Sequence, residues 1–196
     1  MKTINVMIAG IGGQGLVMTT EFICQAAFLE GYDIKSNDVI GLAQRGGRVW
    51  GSVRIGEKIQ SPNMPESEGD LLLGIEPMEA LRWQESMKSE AKMVLNRHRV
   101  YPTNVQQEQE AYPQDEIQRM LESFDSLELD ALLEARKCGN EKAANTLMVG
   151  CVSHFLPISE ESWLEAIRRT YPEKVREVNE KAWKKGGDLA KEAEFI

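Results

Sequence analysis

A chain of 196 residues is long enough for one domain with a sizeable core, or for one domain with a small appendage. Its composition, 42% hydrophobic and 28% charged, is that of a globular protein, and a net charge of −8 argues against non-specific nucleic-acid binding, which needs clustered Lys and Arg. No apolar run approaches the roughly 20 residues of a membrane span, so no membrane association is expected.

The N-terminal Met1-Lys2-Thr3-Ile4 runs straight into a strand pattern and lacks the layout of a signal peptide. The three cysteines, Cys24, Cys138 and Cys151, are widely separated and form no C-x-x-C pair. Neither an iron–sulfur cluster nor a structural zinc site is written in that spacing. Isolated cysteines suit a reducing cytoplasm, which is the expected location.

The chain opens on an apolar strand from Ile4 to Ala9 that ends in a glycine-dense turn. Gly10, Gly12 and Gly15 satisfy G-x-G-x-x-G, with Gly13 as an extra glycine and Gln14 between. A strand before and a helix after this turn is the arrangement that brings an anionic group to a helix N-terminus. Leu16, Val17, Ile23, Cys24, Ala27 and Phe28 recur near one face of a helix that Gly31 ends. Tyr32 to Ser36 reads as a second strand. In a dinucleotide fold an acid near its tip would hold the ribose hydroxyls. Asp33 comes early and Asp38 late, which damages a nicotinamide reading without excluding it.

Gly41-Leu-Ala-Gln44-Arg45-Gly46-Gly47 is a second glycine loop carrying a cation. Arg45 offers a planar fork of donors suited to phosphate or carboxylate. Arg48 to Ile55 alternates strictly, with Val49, Val53 and Ile55 on one face and Arg48, Trp50, Ser52 and Arg54 on the other. That is a half-buried strand, antiparallel or at an edge, whose polar face can meet solvent, a ligand or a partner subunit.

The loop Ser61-Pro-Asn-Met-Pro-Glu66 precedes Asp70-Leu-Leu-Leu-Gly74, a continuous apolar run expected of a central parallel strand. Pro77 suits the first position of a helix that extends to about Met87. Lys92 to Leu95 reads as the next strand. Val100 to Gln114 is a polar excursion, exposed or ordered by a partner. Ile117, Met120, Leu121 and Phe124 mark a helix, Leu127 to Leu129 a short strand, and Ala131 to Lys137 another helix. From about Glu141 the chain is helical: one helix to Phe155, a second capped by Ser159, and a third ending before Gly186-Gly187, with a frayed or partner-bound tail past Asp188. The fold class is α/β, a Rossmann-like, mostly parallel sheet flanked by helices with a helical C-terminal part.

His98 and His154 show no metal-ligand spacing, and there is neither a nucleophile elbow nor a Walker lysine after Gly15. Two anion-friendly glycine loops without a paired acid and base favour a binding role over a self-contained enzyme.

The ordered set Gly10 to Gly15, Gly41 to Gly47, Ser61-Pro62 and Gly69-Asp70-Leu-Leu-Leu-Gly74-Ile-Glu-Pro77-Met-Glu-Ala-Leu81-Arg82 resembles the gamma-type subunit of the 2-oxoacid:ferredoxin oxidoreductases. Within that family Gln44 to Gly47 and Glu76 to Arg82 resemble the small beta subunit of indolepyruvate:ferredoxin oxidoreductase, while Leu42-Ala43-Gln44 departs from the pyruvate type. The resemblance implies that residues 1–196 form one gamma-type domain. Such enzymes oxidatively decarboxylate a 2-oxoacid on thiamine diphosphate, pass electrons through iron–sulfur clusters to ferredoxin and form acyl-coenzyme A. It further implies that thiamine diphosphate and the clusters sit mainly on a larger partner subunit, with this chain inactive by itself; whether the isolated chain forms a homodimer stays open. Residues Gly10, Gly12, Gly13, Gln14, Gly15, Gln44, Arg45, Gly46 and Gly47 are the candidate cofactor-binding set, toward coenzyme A or as packing at the subunit interface. No catalytic residue and no metal ligand is expected. The 2-oxoacid stays open between an arylpyruvate, pyruvate and others, as does a stand-alone nucleotide-binding module resting on Gly10, Gly12 and Gly15.

Overall fold

Strand β1 (Ile4–Ile11) fixes the architecture because both of its faces are buried. Val6 and Ile8 enter one hydrophobic cluster and Met7 and Ala9 another, as the two-residue period of a strand requires. The structure, a computed structural model, describes residues 2–40, 46–101 and 103–195. From β1 the chain continues through α1 (Leu16–Leu29), β2 (Asp33–Ile40), β3 (Arg48–Gly56), β4 (Gly69–Gly74), α2 (Pro77–Leu81) and β5 (Met87–Asn96). It goes on through α3 (Thr103–Gln106), α4 (Gln114–Ser123), β6 (Asp125–Leu129), α5 (Ala131–Lys137), α6 (Ala144–Val152), α7 (Glu160–Thr170) and α8 (Glu173–Glu192).

The sheet has six strands in the order β2-β3-β1-β4-β5-β6. Pairs β1–β4, β4–β5 and β5–β6 are parallel, and β3 runs against both β1 and β2. The larger cluster joins one face of the sheet to α1, α5, α6, α7 and α8, with Phe22 and Trp163 in edge contact at 5.2 Å. The smaller one joins the other face to α2 and α4 through Ala80, Ile117 and Met120.

The α/β class and the mostly parallel sheet agree with the reading of the sequence. Several boundaries differ. Strand β3 is antiparallel but internal, hydrogen-bonded on both sides. The helix after Pro77 stops at Leu81 and gives way to a 3₁₀ turn over Gln84–Ser86, because Met87 already begins β5. Part of the excursion near residue 110 is anchored: the Tyr112 hydroxyl donates to the buried Glu76 Oε1 at 2.7 Å, although Gln106 to Ala111 stay exposed.

The largest correction is at Gly186-Gly187, where α8 continues to Glu192 and the buried Phe195 closes the tail. These glycines serve a helix crossing rather than a stop. A Cβ on Gly186 would overlap the Leu147 carbonyl oxygen, and one on Gly150 would overlap that of Trp183. The two helix backbones therefore touch through paired glycines. Gly186→Ala is expected to destabilise the fold by about 1–3 kcal/mol through overpacking, read as a lower urea midpoint at unchanged slope.

Gly51 has a similar task in β3, since a Cβ there would strike Asp38 Oδ1 and Thr20 Oγ1. The space admits a hydrogen bond of 3.0 Å from the Thr20 hydroxyl to Asp38 Oδ1. Burial raises the Asp38 carboxyl above the usual range, and the Thr20 bond only partly offsets it. The native state then binds more protons than the unfolded chain just above the ordinary aspartate range, so this group lowers stability as pH rises through that window. Asp38→Asn is expected to raise the melting temperature at pH 7 and to lose that advantage near pH 4, in parallel thermal melts.

Candidate functional site

At the end of β1 the chain reverses within Gly12 to Gly15 before α1 begins. The reversal uses left-handed backbone at Gly13 (φ 98°) and Gly15 (φ 82°), where any side chain is strained. Gly10 answers a different need, because a Cβ there would press on Ile75 at 3.2 Å. The turn is braced by its own Gln14, whose Oε1 accepts the Ile11 N–H at 2.8 Å. Gln14 thus shapes the loop through its side-chain oxygen.

Two further braces come from elsewhere in the chain. The Gly12 N–H donates to the Gly47 carbonyl at 2.8 Å, and the Gly46 N–H donates to the Gly12 carbonyl at 3.2 Å. From α6, Asn145 Nδ2 donates to the Gln14 carbonyl at 2.8 Å and to Thr19 Oγ1 at 3.0 Å. Gly10, Gly12, Gly13, Gln14, Gly15, Gly46 and Gly47 are therefore brought together. Gln44 and Arg45 lie outside the described residues. Asn145 was missed in the sequence, where it stands in an apolar helix more than 100 residues from the loop it holds.

Helix α1 starts at Gly15 without a side-chain cap, and its first internal bond is Thr19 N–H to the Gly15 carbonyl at 3.1 Å. The N–H groups of Leu16, Val17 and Met18 precede that bond and carry the positive end of the helix dipole. They sit where β1 and β4 diverge, with α1 on one face of the sheet and α2 on the other. That is the switch point at which open α/β sheets take ligands.

A cavity of about 360 Å³ opens there, lined by Gly13 to Gly15, Ile75, His98, Lys142 and Asn145 among others. Lys142 makes no ion pair among the described residues, whereas the adjacent Glu141 is neutralised by Arg136 at 2.6 Å. The side wall is stiffened by Thr146, which donates to Asn179 Oδ1 at 2.6 Å and contacts the Tyr171 hydroxyl at 2.8 Å. The cleft thus carries backbone donors and a cation unpaired among the described residues, and suits an anion.

The two acids of β2 take no part in it. Asp33 sits at the opposite end of the strand, holding Lys35 at 2.8 Å and the Ile59 N–H at 2.7 Å. Asp38 is bound to Thr20. An iron–sulfur cluster has no donor set among the described residues, where no three His, Cys, Asp or Glu side chains converge. Burial pushes the Cys24 thiol up to about 11 and Cys151 up to about 12, and it raises Cys138 as well, so the cysteines are held as thiols. Among the described residues no helix is long and apolar enough to cross a membrane.

Residues 5–189 match the family described as pyruvate ferredoxin/flavodoxin oxidoreductase. The chain is 34% identical to the indolepyruvate oxidoreductase subunit IorB of Thermococcus kodakarensis, over 98% of each chain. In fold it is similar to the keto/oxoacid ferredoxin oxidoreductase gamma subunit of Geobacter sulfurreducens, with a TM-score of 0.71 and 20% identity over 96% of this chain and 99% of that one. It is also similar to 32% of the 2-oxoglutarate:ferredoxin oxidoreductase chain of Magnetococcus marinus, a structure with 2-oxoglutarate, coenzyme A and succinyl-CoA bound, with a TM-score of 0.76 and 20% identity over 98% of this chain. The match over residues 5–189 and the 34% identity over nearly the full length show that the chain belongs to the pyruvate ferredoxin/flavodoxin oxidoreductase family, as a subunit of a 2-oxoacid:ferredoxin oxidoreductase.

Proposed function

We propose that the chain is the small subunit of a thiamine-diphosphate-dependent enzyme that oxidatively decarboxylates an arylpyruvate of the indolepyruvate type. The 2-oxoacid and coenzyme A are converted to acyl-coenzyme A and carbon dioxide, and two electrons pass singly to ferredoxin with release of one proton. The observation that carries the substrate class is the 34% identity to IorB over 98% of both chains. On this reading residues 1–196 form one gamma-type domain, working in the cytoplasm against a larger subunit that holds the thiamine diphosphate and the iron–sulfur clusters. Those groups supply the decarboxylation and one-electron chemistry when bound.

The contribution of this chain is a wall of the coenzyme A site. A phosphate needs N–H donors and cations. The first turn of α1, from Leu16 to Met18, offers the first, and Lys142 lines the cleft at the preceding glycine turn. Gly10, Gly13, Gln14 and Gly15 hold the loop in shape. Gln44, Arg45, Gly46 and Gly47 form the second loop, with Arg45 supplying a charge-assisted contact to the same anion. The apolar side chains exposed near the cleft, Val17 and Met18 (46% and 44%), suit burial against the large subunit.

Two outcomes are expected. Co-expressed with the large subunit and assayed without oxygen, the complex should reduce ferredoxin with indolepyruvate at least about tenfold more efficiently than with pyruvate, while the isolated chain shows no turnover. Faster turnover of pyruvate would sink the arylpyruvate assignment. In the same complex Arg45→Ala should raise the KM for coenzyme A about tenfold, as loss of a charged hydrogen bond does, and leave the KM for the 2-oxoacid unchanged. An unchanged coenzyme A dependence would leave Arg45 with a packing role only.

A further inference from the structure

Several helices of this protein are started by a side chain at the N-cap. Glu76, Asp130 and Ser159 each accept an N–H from the first turn of α2, α5 and α7 respectively. Such a cap stabilises the helix and occupies one of its leading donors. Helix α1 is started differently. Its N-cap is Gly15, which has no side chain to offer. The space is held by another residue instead, since a Cβ on Gly15 would lie 3.4 Å from Asn145 Nδ2.

The Asn145 carboxamide donates to acceptors only. One N–H goes to the Gln14 carbonyl at 2.8 Å, and the other to Thr19 Oγ1 at 3.0 Å. The Thr19 hydroxyl is itself a donor to the Gly15 carbonyl at 3.0 Å, so its oxygen is open to the hydrogen that Asn145 supplies. This network fixes which way the carboxamide faces, because its oxygen, turned over, would meet the carbonyl of Gln14. Gly15 holds left-handed backbone. Asn145 grips the peptide before it directly, and the peptide after it through Thr19. None of these bonds uses the N–H groups of Leu16, Val17 or Met18.

Asn145 is itself firmly based. The next residue, the buried Thr146, donates to Asn179 Oδ1 of α8 and contacts the Tyr171 hydroxyl. The one after, Leu147, holds its carbonyl oxygen so close to Gly186 that a Cβ there would overlap it. The carboxamide therefore projects from a turn of α6 that packing fixes, as a group that orients another must.

We propose that Asn145 is a positioning residue for the oxidoreductase reaction. It caps α1 from outside the helix, ordering the glycine turn while leaving the first-turn donors open to the anionic ligand. It acts through the backbone it holds: a turn ordered in advance does not have to be ordered by the ligand. The inference rests on the reading of this cleft as a wall of the coenzyme A site.

Hydrogen exchange and steady-state kinetics of the assembled complex test it. Without ligand, Asn145→Ala should speed exchange in segment 12–19 about tenfold, while the β4–β5 ladder keeps its rates. The KM for coenzyme A should rise about tenfold, and clearly more than the KM for the 2-oxoacid. A residue that only supported the fold would lower the melting temperature without separating the two KM values. Thr19→Val keeps the shape and removes the hydroxyl. It should move both readouts the same way by less, and the double variant should fall short of the product of the single effects, as partners in one network do. Unchanged ligand-free exchange in Asn145→Ala overturns the proposal. So do KM values that stay together in that variant while coenzyme A protects segment 12–19 of the wild type. Should coenzyme A leave that segment unprotected in the wild type, the coenzyme A reading falls, and the ligand-free exchange still decides for or against the cap.

Discussion

The clasp between the two glycine loops is the contact on which the cleft depends. Gly12 and Gly47 share one hydrogen bond and Gly46 and Gly12 the other, so the end of β1 and the start of β3 are joined beyond the last rung of their ladder. Without the clasp, the four-residue reversal into α1 would be a strained loop with exposed donors. With it, the uncapped N–H groups of α1 keep one orientation relative to the sheet. Only glycine can serve at Gly13 and Gly15 without strain, because both hold left-handed backbone. The donors of the cleft are main-chain groups, so their placement depends on the fold rather than on side-chain rotamers.

Placement of charge follows from the same geometry. The protein is acidic as a whole, with a net charge of −8. Several of its acids are engaged: Glu141, at the cleft, by Arg136, Asp33 by Lys35 and the Ile59 N–H, and Glu76 by Tyr112 and the first turn of α2. Lys142 is left without such a partner among the described residues, at the rim of the cleft. Across the sheet, the buried carboxyl of Glu79 is raised by desolvation, while Arg82 and Arg48 draw it back down. A locally cationic rim on an acidic protein favours an anionic ligand while the rest of the surface repels other anions.

Much of the first half of the fold was legible because its signals are local. An apolar run ending in glycines, strict alternation from Arg48 to Ile55, and a continuous apolar run at Leu71 to Leu73 each name an element without knowledge of its neighbours. The failures share one cause. Gly186 and Gly187 read as a helix end, since glycine is a poor helix former, yet the residue facing Gly186 is Leu147, which no local pattern reveals. The helix after Pro77 stops early because the next strand begins at Met87, a pairing with Gly69 that periodicity does not encode. Asn145 was invisible for the same reason. Of the candidate site, the glycines declared themselves, while the residue that steadies them required the tertiary structure.

The crossing of α6 and α8 ties distant parts of the chain into one mechanical element. Asn145 stands in the first turn of α6, Gly150 near its end touches the backbone at Trp183, and α8 carries on to a tail anchored by Phe195. Backbone-to-backbone contact leaves no side chain between the two helices to absorb a displacement, so α6 and α8 pack as one rigid unit behind the glycine turn. The C-terminal helix thus reaches the glycine turn through a single carboxamide, that of Asn145.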